Sequence, residues 1–145
     1  MKRLLDLVLS ATALVALLPV LIVFTIIIWL YDLKNPFYIA ERVGLSGKRF
    51  SMIKLRSMRV GADATGVDST SNDDVRITKV GVIIRKFKFD EIPQLWNVLR
   101  GEMSLVGPRP NVPREVDLYT KAEKGLLTVR PGITDYASIV FSDEG

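Results

Sequence analysis

The hydrophobic pattern begins with a long uncharged stretch near the N-terminus. After Met1-Lys2-Arg3, no residue from Leu7 to Tyr31 carries a charge. A helix of that length, at about 1.5 Å per residue, exceeds the roughly 30 Å hydrocarbon core of a bilayer. Secretory signal peptides have apolar regions of only about 7–15 residues, followed by a cleavage site. Residues 1–34 are therefore predicted to form a membrane-anchoring helix.

Two features bear on whether this helix crosses the membrane. Basic residues lie on both sides of it, Lys2 and Arg3 before and Lys34 after, and the positive-inside tendency places both flanks in the cytoplasm. Pro19, in the middle of the run, removes one helical hydrogen bond and can bend the axis. A re-entrant helix bent at Pro19 accounts for both facts. On the residues alone a kinked spanning helix is slightly favoured, because transmembrane helices tolerate proline.

Short alternating apolar segments follow the anchor. Phe37 to Val43 and Arg49 to Leu55 are separated by Gly44-Leu45-Ser46-Gly47, and this pattern predicts a β-hairpin. Lys54 and Arg56 alternate onto one face of the second strand, which makes them candidates for a shared ligand. The other basic residues here are better explained as solvated side chains or as contacts to lipid headgroups.

The pattern after the hairpin alternates loops with helices. Arg59 to Asp74 is poor in large apolar residues, which predicts a long polar loop or a partly disordered segment. Thr78 is expected to cap a helix that runs to about Phe87. Glu115 to Gly125 can form a polar helix, and Arg130-Pro131-Gly132-Ile133-Thr134 predicts a rigid turn.

Between these helices, Phe87 to Pro110 concentrates carboxylates, arginines and residues that fix the backbone. Apolar residues at helical spacing predict a short helix from Ile92 to Gly101, with Asp90 near its N-cap and Pro93 in its first turn. An acidic pair at a helix start is usually only a cap, so Asp90-Glu91 needs further support to be a catalytic candidate.

Composition supplies part of that support. The chain contains no Cys and no His, which excludes thiolate nucleophiles, His-based triads and the usual zinc sites. The net charge of +4 is spread unevenly, and such unevenness indicates an anionic ligand or surface. Arg85 and Arg109 flank the acidic pair and could hold phosphate oxygens. Glu91 is a hard oxygen ligand of the kind that Mg²⁺ takes together with substrate phosphates.

These motifs together resemble a known family. The stretch Arg85 to Pro110, with DEIPQLWNVLRGEMSLVGPRP at its centre, is similar to the bacterial sugar transferases, the small monotopic polyprenyl-phosphate phosphoglycosyl transferases. Further matches are Glu41-Arg42-Val43-Gly44 with Gly47-Lys48, Lys54-Leu55-Arg56-Ser57-Met58 and Arg130-Pro131-Gly132-Ile133-Thr134. The similarity covers nearly the whole chain.

The resemblance implies an α+β fold. A membrane-embedded re-entrant helix, kinked at Pro19, would precede a small, mostly helical catalytic domain of residues 35–145 with a β-hairpin at the membrane interface. This domain would lie on the cytoplasmic face of the bacterial inner membrane and, as in longer relatives, would continue beyond Gly145. Family members often have Ser before the proline, where this chain has Leu18, so the bend lacks one supporting hydrogen bond.

The resemblance also implies a reaction and its site. A sugar-1-phosphate would pass from a UDP-sugar to polyprenyl (undecaprenyl) phosphate with release of UMP, as the first membrane step of bacterial glycoconjugate assembly. Asp90 would be the nucleophile and Glu91 the ligand of a Mg²⁺ cofactor. The basic residues implied to bind substrate phosphate are Lys54, Arg56, Arg85 and Arg109. Supporting positions are Gln94, Asn97, Pro108 and Pro110. Of these, Arg56, Gln94 and Asn97 match less closely and could equally be structural.

Other function classes stay open on the residues alone. A membrane-anchored basic module could bind acidic phospholipids, although it would not need an Asp-Glu pair inside its basic cluster. No nucleic-acid motif is recognised. A non-catalytic scaffold would tolerate loss of both acids, and a metal-dependent phosphohydrolase would transfer the sugar phosphate to water. The sequence assigns neither the sugar nor an oligomeric state.

Overall fold

The computed structural model describes residues 1–62 and 74–135. They form four helices, α1 (Lys2–Asp32), α2 (Lys79–Lys86), α3 (Gln94–Arg100) and α4 (Pro113–Val116). They also form four strands, β1 (Phe37–Val43), β2 (Arg49–Leu55), β3 (Ser104–Val106) and β4 (Gly132–Thr134). Short 3-10 turns cover Leu45–Gly47, Phe89–Glu91 and Glu123–Thr128. This mixture confirms the α+β class, while most of the predicted polar loop (63–73) and the last ten residues lie outside the described ranges.

Helix α1 runs through Pro19 without interruption and is long and apolar enough to cross a membrane. Much of its apolar surface is exposed, including Val15 and Leu30, so the helix needs an apolar environment beyond the domain itself. Helix α1 packs against α3, its first turns reach β3, and its last turn contacts the segment after β2. The re-entrant bend and the membrane placement stay predictions.

The antiparallel hairpin of β1 and β2 has the predicted bounds, with Phe37 opposite Leu55 and Val43 opposite Arg49. Its turn closes because Gly47 adopts a positive φ of 74°. Two buried clusters join the hairpin to the helices. One contains Ala40, Met52, Val98 and Met103, and the other contains Ile28, Leu55 and Ile84. Helix α3 therefore covers one part of the hairpin, while α1 and α2 cover the other.

The cap of α2 confirms the prediction at Thr78, whose side-chain oxygen accepts a hydrogen bond of 2.9 Å from the Gly81 backbone N–H. The predicted N-cap role of Asp90 is wrong. Asp90 lies instead in a 3-10 turn, and α3 begins only at Gln94 without a side-chain cap. The left-handed φ of 58° at Lys88 ends the α2 segment and starts this separate turn. Gly101 ends α3 in the left-handed conformation, as predicted.

The predicted helix from Glu115 to Gly125 is also wrong, because α4 stops at Val116 and a separate 3-10 turn begins at Glu123. The Glu123 carboxylate accepts hydrogen bonds from the Thr120 N–H (2.8 Å) and hydroxyl (2.7 Å). This local cap starts a new turn in the middle of the expected helix. Leu118 is 83% exposed, so little apolar burial is available to hold a longer helix together.

Strands β3 and β4 pair in parallel, with Ser104 opposite Gly132 and Val106 opposite Thr134. The sequence predicts a turn at Arg130-Pro131-Gly132-Ile133-Thr134 and no strand. Gly132 permits this pairing because a Cβ there would lie 2.2 Å from the Gly107 nitrogen. Strands of three residues carry too little alternation for a pattern to reveal them.

Candidate active site

A cavity of about 520 Å³ opens beside the hairpin, next to the turn that precedes α3. Among the described residues that line it, the acidic side chain is Asp90. The basic side chains lining it are Lys34, Arg42, Lys54, Arg56, Arg59, Arg76 and Arg85. This excess of positive charge in a concave site favours an anionic ligand.

Asp90 has the most unusual environment of the predicted residues. Its Oδ1 atom is buried and has no hydrogen-bond partner within residues 1–62 and 74–135. Native proteins pair nearly all buried polar atoms, and an exception in a cavity indicates a bound ligand or a chemical role. The unpartnered atom is an oxygen with a lone pair available to an electrophile.

Lys54 and Glu91 face each other beside Asp90, with 3.9 Å between the lysine Nζ and the Glu91 Oε1. Both side chains are largely buried. Burial lowers the pKa of Lys54, the charges of Glu91 and Asp90 oppose this shift, and those of Arg109 and Arg42 reinforce it. Burial is the largest of these causes, and the effects of the two acids exceed those of the two arginines. An anionic ligand beside Lys54 would stabilise the charged form of its amine further.

Arg42 is a cavity residue that the sequence analysis left among solvated side chains. It lines the cavity from β1, and burial lowers the pKa of its guanidinium. The charges of Tyr38 and Glu115 oppose that shift and the charge of Arg109 adds to it. The strand register could have assigned Arg42 to the cavity. Tyr38 pairs with Lys54, and Arg42 follows Tyr38 by four residues on the same strand face.

The turn that carries Arg109 is held by the backbone of β4. The Gly107 N–H donates to the Thr134 carbonyl at 3.0 Å, and the Gly132 N–H donates to the Pro108 carbonyl at 2.9 Å. Two hydrogen bonds across a three-residue parallel pair fix where the turn begins.

On the other side of the turn, the Val43 N–H donates to the Asn111 carbonyl at 3.0 Å, which joins the turn to the end of β1. Pro110 is buried while Arg109 is exposed. The Arg109 guanidinium is not part of the cavity lining, but its charge lowers the pKa of Lys54. Its predicted role as a phosphate ligand therefore corresponds to a position at the edge of the cavity.

Arg85 and Arg56 both line the cavity. The Arg56 guanidinium also makes two hydrogen bonds, of 2.8 and 2.6 Å, to the carboxylate of Asp32 at the end of α1. Arg56 thus attaches the apolar helix to the domain, and its role as a phosphate ligand stays a prediction.

Gln94 and Asn97 are both buried in α3. The Asn97 amide donates to the Ser51 carbonyl at 2.8 Å and accepts from the Ile53 N–H at 3.1 Å, and it also donates to Glu102 at 2.6 Å. Asn97 therefore fastens α3 to β2 next to Lys54. This is the structural role that the sequence left open for it.

The acidic pair also bears on the predicted Mg²⁺. No group of three or more metal-binding side chains occurs in the part of the chain that the structure describes. Mg²⁺ is commonly held by one or two carboxylates, with substrate phosphates and waters completing its shell. Glu91 and the unpartnered oxygen of Asp90 fit that kind of site, in which the substrate supplies the remaining ligands.

Comparison with known proteins identifies the family of the chain. The family model described as bacterial sugar transferase matches residues 1–144. A putative undecaprenyl-phosphate N-acetylgalactosaminyl 1-phosphate transferase of Bacillus subtilis (strain 168) is 43% identical over 112 residues, covering 77% of this chain and 63% of that protein.

Two further relatives cover more of the chain. An uncharacterized sugar transferase, EpsL, also from Bacillus subtilis (strain 168), is 42% identical over 96% of this chain and 68% of its own length. A UDP-glucose:undecaprenyl-phosphate glucose-1-phosphate transferase of Xanthomonas campestris pv. campestris is 37% identical over 95% of this chain and 29% of its own length. The chain thus spans about two thirds of the shorter curated relatives and under a third of the longer one. With a family model matched over almost all its residues, the chain belongs to the bacterial sugar transferase family.

Proposed function

We propose that this protein is a polyprenyl-phosphate phosphoglycosyl transferase. It moves a sugar-1-phosphate from a UDP-sugar to undecaprenyl phosphate and releases UMP. The relatives' names support this reaction class, since they include a UDP-galactose-lipid carrier transferase of Erwinia amylovora and the glucose-1-phosphate transferase of Xanthomonas campestris. The observation that carries the proposal is the buried Asp90 oxygen, which has no partner among the described residues and lies on the wall of a strongly cationic cavity.

In the first step, a carboxylate oxygen of Asp90 attacks the phosphorus that bears the sugar. A new oxygen–phosphorus bond forms, the bond from that phosphorus to the bridging oxygen of the diphosphate breaks, and UMP leaves with the bridging oxygen. The product on the protein is a phosphosugar-aspartyl group. A carboxylate suits this role because an acyl phosphate divides one difficult displacement into two easier ones.

In the second step, a phosphate oxygen of the lipid acceptor attacks the same phosphorus. The bond to Asp90 breaks, the carboxylate is regenerated, and the sugar leaves on a lipid diphosphate. Both steps bring anions together, so their charges need screening. Lys54, Arg42 and Arg85 lie on the cavity wall and supply positive charge, while Arg109 approaches from its edge. Mg²⁺, bound through Glu91 and substrate phosphates, would neutralise further charge on the diphosphate.

The same proposal includes a monotopic membrane attachment. Asp6, near the start of α1, contacts Ser104, and the last residue of the helix, Asp32, contacts Arg56. A spanning helix would separate its ends by the roughly 30 Å bilayer core, on opposite surfaces. Because both ends bind the same folded domain, we favour a re-entrant helix with the domain on the cytoplasmic face. A cysteine introduced at Lys2 should then react with a reagent confined to the cytoplasmic side, and labelling from the opposite side alone would overturn this topology.

The test of the reaction uses the full chain in lipid nanodiscs with Mg²⁺ and a panel of UDP-sugars. UMP release is measured with and without undecaprenyl phosphate, and intact-mass spectrometry follows the covalent adduct. We expect lipid-dependent UMP release with one donor, and a mass increase equal to the sugar phosphate when the acceptor is omitted. Asp90→Asn should abolish both signals.

The matched control is Asp117→Asn, which removes an exposed carboxylate outside the cavity. This variant should retain turnover and adduct. An adduct that survives in Asp90→Asn would refute the nucleophile assignment. Release of sugar phosphate to water, equal with and without lipid, would identify a phosphohydrolase instead.

A further inference from the structure

A buried carboxylate lies in the first turns of α1, just before its uncharged stretch. Asp6 is only 6% exposed. Its Oδ2 accepts a hydrogen bond of 2.8 Å from the Ser104 hydroxyl, and its Oδ1 accepts one of 3.3 Å from the Leu105 N–H. Lys2 lies 3.5 Å from the same carboxylate and donates to the Val106 carbonyl at 3.1 Å. The start of the apolar helix is thus bonded to every residue of β3.

Attachment alone does not account for this chemistry. Burying a carboxylate is costly unless it is paired and hydrogen-bonded, and apolar side chains of similar volume often bind as well or better. What a buried polar cluster adds is a defined register between the two elements that it joins. The cost is justified where one of those elements must be held in one position.

One edge of strand β3 pairs with β4, and Asp6 binds to the opposite edge. The Ser104 N–H donates to the Pro131 carbonyl on the side of β4, at 2.8 Å. Alternate residues of a strand point their N–H groups to opposite sides, so the Leu105 N–H faces away from β4. Asp6 accepts it there, in place of a neighbouring strand. β3 is consequently fixed on both edges, by β4 on one and by the apolar helix on the other.

The chain leaves β3 directly into the turn that carries Arg109. Arg109 follows Leu105 by four positions, a reach of at most about 14 Å. Gly107 and Pro108, between them, are bonded to β4. A shift of β3 therefore moves the Arg109 turn relative to Lys54 and the cavity.

We propose that Asp6, assisted by Lys2, is a positioning residue that sets the place of the Arg109 turn. The helix thereby contributes to donor binding in addition to holding the protein at the membrane. The kinetic part of this inference rests on the proposed transferase function, whereas the structural part does not.

The structural part is tested by hydrogen–deuterium exchange on the full chain in nanodiscs. Asp6→Ala should raise exchange in residues 104–110, Asp6→Asn should raise it less because one acceptor oxygen remains, and residues 37–55 should not change. The matched control is Asp32→Asn, which removes the carboxylate at the other end of the same helix. It should raise exchange next to Arg56 and leave 104–110 protected.

The kinetic part is tested by a double-mutant cycle of Asp6→Ala and Arg109→Ala. Asp6→Ala should lower kcat/KM for the donor by about 10- to 100-fold, as expected for a displaced binding group. It should leave the KM for the lipid acceptor unchanged. If Asp6 acts through Arg109, the double variant should be no slower than Arg109→Ala alone.

The outcomes separate the two proposals. Unchanged exchange in 104–110 for Asp6→Ala, or multiplicative losses in the double variant, would overturn the positioning role. Normal kinetics in Arg109→Ala would remove that arginine from the reaction and count against the proposed function, while the exchange data would still decide the role of Asp6. Where Asp6→Ala yields too little folded protein, Ser104→Ala removes one of the two hydrogen bonds and should raise exchange in the same segment.

Discussion

Two aspartates near the cavity have opposite environments. The carboxylate of Asp74 accepts hydrogen bonds of 2.6 to 3.1 Å from the Arg76 guanidinium and a further 2.9 Å bond from the Arg76 N–H. Asp90 lies among more cations, yet one of its buried oxygens has no partner in the described chain.

The difference separates carboxylates that are fully hydrogen-bonded from one that has an unpartnered oxygen within the described residues. Asp74 and Asp32 each fix an arginine, and their oxygens are fully used. An unpartnered buried oxygen costs stability, and proteins retain such costs mainly at functional sites. The prediction of a catalytic Asp90 is thus supported by what the residue lacks more than by the number of charges around it.

The largest expected effect comes from replacing each of the two aspartates, Asp90 and Asp74, by asparagine. Asp90→Asn should reduce turnover by at least about 10³-fold, since the nucleophile is removed. Its Tm should stay the same or rise, because an amide replaces a carboxylate of which one buried oxygen has no partner among the described residues. Asp74→Asn should do the reverse, lowering Tm while the adduct at Asp90 remains detectable. A lower Tm in Asp90→Asn together with normal turnover would break the distinction.

A smaller effect is expected at Lys54, whose charge is only partly offset by Glu91 and Asp90. Lys54→Ala should lower kcat/KM by about 10- to 100-fold through loss of charge stabilisation. Because burial lowers the pKa of Lys54, its charge is lost as pH rises through a value below the ordinary 10.5. Activity should therefore fall at alkaline pH, and Lys54→Arg should move that fall to higher pH. An alkaline limb that is identical in Lys54→Arg would exclude Lys54 as its cause.

Asn97 is a buried polar side chain whose amide oxygen and nitrogen are both hydrogen-bonded, in contrast to Asp90. Asn97→Ala leaves the Ser51 carbonyl and the Ile53 N–H without their part-buried hydrogen bonds to Asn97, which should lower the free energy of unfolding by about 1–3 kcal/mol. Thermal or denaturant unfolding of the nanodisc-held protein measures the loss. Gln94→Ala provides a comparison in the same helix, and equal stability of Asn97→Ala and wild type would remove the proposed link between α3 and β2.

The smallest effect is the pH dependence of the Asp74–Arg76 pair. Hydrogen bonds from Arg76 lower the pKa of Asp74 to about 2. A depressed carboxyl pKa stabilises the fold above the ordinary value of about 4, and that contribution is lost as pH falls toward 2. The Tm difference between wild type and Asp74→Asn should be present at pH 7 and shrink between pH 4 and 2. A difference that stays constant over this range would contradict the assignment.

Local pattern predicted several elements correctly. The hairpin bounds follow from period-two alternation around a Gly-rich turn, and Thr78 and Gly101 act as the cap and stop that their residue types indicate. These features depend on neighbours within a few residues. The prediction of a helix from Glu115 to Gly125 was wrong, and the cause is also local. The hydrogen bond from the Thr120 N–H to the Glu123 carboxylate starts a separate turn and overrides a weak helical pattern.

The features that the sequence did not reveal depend on long-range contacts. Asp6 and Leu105 meet across 99 positions, and β3 and β4 pair across a long connection. Arg42 needed the hairpin register to be assigned to the cavity. For the site itself, residue types and motif were sufficient to select Asp90, Lys54 and Arg85, which the structure brings to one cavity. That one Asp90 oxygen has no hydrogen-bond partner in the described chain could be seen only in the structure.

The parallel pairing of β3 with β4 also orders events during synthesis. Helix α1 is complete once Asp32 has been made, whereas the partner strand of β3 is finished only with Thr134. At typical translation rates of about 5–20 residues per second, roughly 5–20 s separate the two. Throughout that interval the apolar helix is available to the bilayer while the Arg109 turn lacks its fastening. The apolar helix is therefore complete before the Arg109 turn can form its hydrogen bonds to β4.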